Sequence, residues 1–106
     1  MTDWLVVLTA EAENDIEEIF RYIAFTLIEP AVAWNQTERI RRGIGKLSFM
    51  PERCHIIDEE PWKTRGVRRL NIDNYAAFYV LDKDSYCVNV VRVLYGGRDF
   101  SDILFV

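Results

Sequence analysis

The chain has 106 residues, half of them hydrophobic, 28% charged, with a net charge of −4. That is enough for one compact core and too little for two, and the composition excludes a disordered chain and a membrane span of about 20 apolar residues. The charge is lopsided: residues 1–38 hold eight acids against one base, and the remaining twelve bases and nine acids leave the rest at +3. A protein that grips nucleic acid through its overall charge is basic, so global attraction to phosphate is excluded while a local basic patch is not.

"WLVVL" (residues 4–8) is a short β-branched run that predicts a strand buried on both faces. Thr9 is a candidate helix cap, with Glu11, Glu13 and Asp15 on the first turn where the helix dipole favours negative charge. Ile16, Ile19, Phe20, Ile23 and Leu27 then follow at helical spacing. Pro30 suits the first turn of a second helix, in which Ala33, Thr37, Ile40, Ile44 and Leu47 keep the 3.6-residue period. Arg39, Arg41, Arg42 and Lys46 occupy much of its other surface, and Gly43 and Gly45 predict close approach by another element. The short link makes the two helices an antiparallel hairpin.

Pro51 ends the second helix, and residues 51–64 read as an irregular loop. Three strands follow: "GVRRLNI", "YAAFYVL" and "YCVNVVRVLY", joined through Asp73-Asn74 and "DKDS". Both parities of the last strand are apolar, which predicts a central strand covered on its two faces. The order is β-α-α-β-β-β, an α+β domain with a helical hairpin on a small, mostly antiparallel sheet, spanning residues 1–106 as one unit. Cys54 and Cys87 form no CxxC and His55 is the one histidine, so neither metal nor cofactor is expected. Trp4 is expected in the core, Trp34 one position off the apolar stripe of its helix, and Trp62 in the loop. The N-terminus lacks the basic region of an export signal, so the cytoplasm is the expected location.

Four features in this order resemble the RelE/ParE superfamily of toxins from type II toxin–antitoxin pairs: "AENDIEEIFRYI", "LSFMPER", "RGVRRLNIDNYAAFYVL" and the terminal "VVRVLYGGRDF". The resemblance implies a toxin held inactive by a cognate antitoxin. It implies either a ribosome-dependent mRNA endoribonuclease, as in RelE-like members, or a non-catalytic inhibitor of DNA gyrase, as in ParE-like ones. RNA cleavage by 2′-OH attack needs a base, a phosphate-binding cation and an acid. RelE-like members place an arginine after the tyrosine that opens the strand following the hairpin turn, where this chain has Tyr75-Ala76. Arg98 matches their arginine after the last strand, but their terminal aromatic or histidine falls near Leu104.

The gyrase-inhibitor branch is therefore favoured, with Tyr95, Arg98, Asp99 and Phe100 expected at the target and no catalytic residue. Were the chain a nuclease, Arg68, Arg69 and Arg98 would be its candidates; a relative that has lost toxicity is the third alternative. Trp34, Arg39, Arg42 and Lys46 are the candidates for docking the antitoxin, against the plainer reading of a solvated basic face. One of Arg68 and Arg69, which alternate on their strand, is expected to face the helices and the other to be a solvated charge. Neither membrane association nor sequence-specific DNA binding by this chain alone is expected.

Overall fold

The computed structural model describes residues 3–97. Strand β1 (Leu5–Leu8) leads into helix α1 (Ala10–Arg21), then α2 (Pro30–Gly45), a single helical turn α3 (Trp62–Arg65), and strands β2 (Arg68–Ile72), β3 (Tyr75–Asp82) and β4 (Cys87–Tyr95). The sheet order is β1-β4-β3-β2, with β2–β3 and β3–β4 antiparallel and β1 parallel to β4. The expected α+β architecture, with a helical hairpin and a three-stranded antiparallel meander, is the one observed.

The hairpin covers one sheet face. Ala12 and Ile16 from α1 and Ile40 and Ile44 from α2 meet Tyr79, Val90 and other β3–β4 residues in one buried cluster. The opposite face carries a second cluster in which Trp62 and Val67 cover Ala76, Phe78 and Leu94. Residues 51–64 are therefore less irregular than their composition predicts: a 3-10 turn spans Pro51–Arg53, and α3 inserts Trp62, 4% exposed, against the sheet. The apolar area of that one indole is what pulls the segment inward.

Strand β1 departs from expectation. It lies at the sheet edge, with Leu5 64% exposed and only alternate residues turned inward. Four apolar residues in a row do not distinguish a strand covered on both faces from one covered on a single face, because period-2 information is lost in a uniform run. Trp4 beside it is partly buried, edge-on to Tyr86 at 5.0 Å between ring centres.

Thr9 caps α1, accepting from the Ala12 amide at 3.1 Å, and its own hydroxyl donates to the Val91 carbonyl at 3.0 Å. One residue thus fixes both the start of the helix and its place on β4. Beyond Arg21 the helix widens into a π-turn, Tyr22–Thr26, closed by the Leu27 amide on the Tyr22 carbonyl at 3.0 Å. The extra residue breaks the 3.6 period, so Leu27 leaves the apolar stripe and is 52% exposed. Gly43 does sit against a neighbour: a Cβ there would lie 2.9 Å from Ile72 Cδ1. Gly45 does not: among the described residues nothing lies within 4 Å of that position.

Candidate functional site

Three surfaces carry chemistry. The first lies between α1 and the end of β4. Pairing between β1 and β4 stops at Leu8–Val90, and the β3–β4 register slips opposite Phe78–Tyr79, leaving Val91 as the extra residue of a bulge. Beyond that point no strand among the described residues pairs with the outer side of β4, and Asp15 takes that place. Its carboxylate accepts from the Val93 amide at 2.9 Å and takes a two-pronged bond from Arg92, Nε at 2.7 Å and Nη2 at 2.9 Å. Asp15 is 7% exposed, so this is a dry, bidentate pair and not a charge on the first helical turn for the dipole. Two signals mark it in the sequence: Asp15 falls on the inward arc between Ala12 and Ile19, and Arg92 is the one charge within β4.

Above this pair lies a groove of about 410 Å³ lined by Asp15, Glu18, Tyr22, Tyr75 and Tyr95 among others. The Tyr75 and Tyr95 rings meet edge to face, 6.0 Å between centres. Burial pushes the Tyr75 phenol above its ordinary range, and the neighbouring Tyr95 and Tyr22 hydroxyls add to this by opposing a second negative charge. Tyr95 is 56% exposed and forms the rim. Of the residues expected at the target, it is the one that can be placed; Arg98, Asp99 and Phe100 lie outside the described residues.

The second surface holds two of the three nuclease candidates, Arg68 and Arg69, and the structure separates them. Arg68 is on the helix-side face opposite Tyr79, its Nη1 donating to the carbonyls of Glu52 and Cys54. Arg69 is on the other face, its guanidinium 5.7 Å from the Phe78 ring centre, with Nη2 donating to the Gly96 carbonyl at 3.2 Å and Nε to Asn71 at 2.8 Å. The expected alternation holds, but the outward arginine is half-buried and stacked instead of solvated. Ala76, where RelE-like relatives carry an arginine, is fully buried in the second core cluster. Tyr79, also interior, donates to the Pro51 carbonyl at 2.6 Å, and burial pushes its phenol far above the ordinary range.

The third surface is the basic face of α2. Arg39, Arg42 and Lys46 line a groove of about 350 Å³ with Arg53 and Leu70–Asp73 of β2 and its turn. Arg39 bonds Asp73 at 2.9 Å; a hydrogen bond from Gln36, and then the one from this cation, hold the Asp73 carboxyl below the usual carboxylate range. Of the acids of α1, Glu13 is met from α2 by Arg41 instead, at 3.1 Å. Trp34 belongs elsewhere. It is 61% exposed and lines a different groove, with Phe20, Thr37 and Arg41 between the two helices. The four expected antitoxin contacts thus divide into three together and one apart. Among the described residues no three His, Cys, Asp or Glu side chains converge on a metal-sized site.

The description of ParE toxins from type II toxin–antitoxin (parDE) systems fits residues 6–100. The chain belongs to the ParE toxin family. The structure of the chromosomal ParDE toxin–antitoxin system from P. aeruginosa is similar to it, with a TM-score of 0.73 at 19% identity, over 87% of this chain and 95% of that one. The RelBE2 toxin–antitoxin complex from Mycobacterium tuberculosis is similar at a TM-score of 0.64 and 20% identity, covering 90% and 93%. At such identities the likeness is one of fold, shared by ParE-type and RelE-type systems alike. No curated protein matches the sequence.

Proposed function

We propose that this ParE-family toxin acts in the bacterial cytoplasm by binding and inhibiting DNA gyrase, makes and breaks no bonds itself, and is held inactive by a cognate antitoxin. The observation that carries the finer reading is the divergence of Arg68 and Arg69 to opposite sheet faces beside a buried Ala76. A phosphate in mid-transfer needs cations converging on one point with an acid and a base in reach. Here one guanidinium is spent on loop carbonyls and the other on Gly96 and Asn71. Binding needs less: an exposed aromatic rim such as Tyr95 and, in the sequence Arg98-Asp99-Phe100 after it, an arginine are residue types enriched at interface hot spots.

The test is a gyrase supercoiling assay with purified chain and an Arg98→Ala control, run beside a translating extract carrying a defined mRNA. Inhibition of supercoiling that weakens in the control, with intact mRNA, is the expected result. Transcripts cut on the ribosome would overturn the reading in favour of a RelE-type endoribonuclease.

A further inference from the structure

In this acidic chain, cations and exposed apolar side chains gather at the end of α2. Arg42 lies in its last turn, Lys46 caps it, and Arg53 comes from the following 3-10 turn. With Phe49 and Met50 they line a groove of about 540 Å³, which shares all three cations with the groove along Leu70–Asp73 of the edge strand β2. Among the described residues neither Arg42 nor Lys46 pairs with a carboxylate, whereas Arg21, Arg39, Arg41, Lys63, Lys83 and Arg92 each do. Phe49 is 48% exposed and Met50 60%.

The apolar pair is held outward. Met50 has φ 47° and ψ 57°, a left-handed conformation that side chains with a Cβ rarely adopt. Two anchors keep it there. Arg53 Nη1 donates to the carbonyls of Phe49 at 2.6 Å and Met50 at 3.2 Å, and Tyr79 holds the next carbonyl, that of buried Pro51. Core packing does not ask for this arrangement, since neither Phe49 nor Met50 reaches the core.

We propose that this surface docks an acidic peptide segment bearing a bulky apolar side chain, with its carboxylates on Arg42 and Lys46 and its apolar group against Phe49 and Met50. Resting on the toxin–antitoxin reading above, we assign that segment to the antitoxin. Charge complementarity selects the occupant: among the described residues Arg42 and Lys46 lack acids of their own, and a purely phosphate-bearing ligand would leave the apolar pair uncovered while facing a chain of net charge −4. The adjoining edge of β2 lets an extended segment continue along the sheet.

The probe is a synthetic 12-residue peptide alternating glutamate with leucine, titrated into the full purified chain beside a glutamine–leucine peptide and a single-stranded DNA 12-mer. The acidic peptide is expected to bind, and an Arg42→Glu/Lys46→Glu variant to bind it at least tenfold more weakly with a lower salt dependence. Met50→Gly, which relieves the backbone conformation, is expected to weaken binding severalfold without lowering the thermal midpoint. Tighter binding of the oligonucleotide, equal binding by the variants, no binding of the peptide, or self-association of the chain abolished by the same variants would each overturn the assignment. Growth arrest on expression of the chain tests the toxin reading separately, so an arresting toxin that ignores the peptide rejects only the docking surface.

Discussion

The seam between α1 and β4 and the outer face of α2 both contain an arginine bonded to an aspartate, and they behave as different objects. Asp15–Arg92 is shielded, bidentate and tied to a backbone amide, whereas Arg39–Asp73 is a single bond between side chains about half exposed. Identical charges therefore do opposite jobs. In the seam the carboxylate accepts from a β4 amide that no strand among the described residues pairs with, and ties α1 to the sheet. On the α2 face the pair is cheap to break, and the neighbouring cations remain available to a partner.

The comparison breaks most visibly at Asp15. Replacing it with alanine leaves Arg92 and the Val93 amide without their acceptor, and removing one member of a buried pair costs about 3–5 kcal/mol. A denaturant midpoint that moves by less than the Arg39→Ala midpoint would show that the seam is no stronger than the surface. The next effect is alkaline. Tyr75 and Tyr79 have phenols raised in the folded state, so below about pH 10 both folded and unfolded chains keep them neutral. Above that value the unfolded chain ionises first, and stability falls by about 1.4 kcal/mol per pH unit for each phenol until the folded group also titrates. Tyr79→Phe should flatten the slope of thermal midpoint against pH between 10 and 12, while losing about 1–3 kcal/mol at neutral pH through the orphaned Pro51 carbonyl.

The glycines of α2 sharpen the contrast between its packed and open sides. Gly45→Ala should stabilise by up to about 1 kcal/mol, because the backbone is already helical and the new methyl meets nothing. Gly43→Ala gains the same propensity but must displace Ile72, and overpacking of about 1–3 kcal/mol turns the sign to destabilising. Opposite shifts in thermal midpoint from the two substitutions are the expected outcome. Arg39→Ala is the smallest effect, under about 1 kcal/mol and vanishing at high salt.

Helices, strands and their order were legible because periodic patterns carry them: the Ala33–Leu47 stripe is buried as its spacing predicts. What was lost is what periodicity cannot encode. The π-turn at Tyr22 shifts Leu27 outward by one extra residue, and the bulge at Val91 does the same to the β4 register. Trp62 was hidden by the prolines and acids around it, which mark a loop without saying that its largest side chain is core. The basic set Arg39, Arg42 and Lys46 was visible as a helical face, but its separation from Trp34 follows from where the hairpin meets the sheet. The Asp15–Arg92 seam spans 77 residues, and a single sequence shows each half only as a misplaced charge.

The parallel pairing of Leu5–Leu8 with Cys87–Val90 has a consequence for biosynthesis. Among the described strands, β1 cannot dock until β4 has been made, and the position between β1 and β3 stays vacant until then. The helical hairpin emerges from the ribosome with Ile16, Ile40 and Ile44 uncovered, so the core stays open until β4 has been made. A nascent chain stalled before residue 87 should be protease-sensitive throughout, which gives the cell an interval in which a toxin-family protein is present as polypeptide before it has folded.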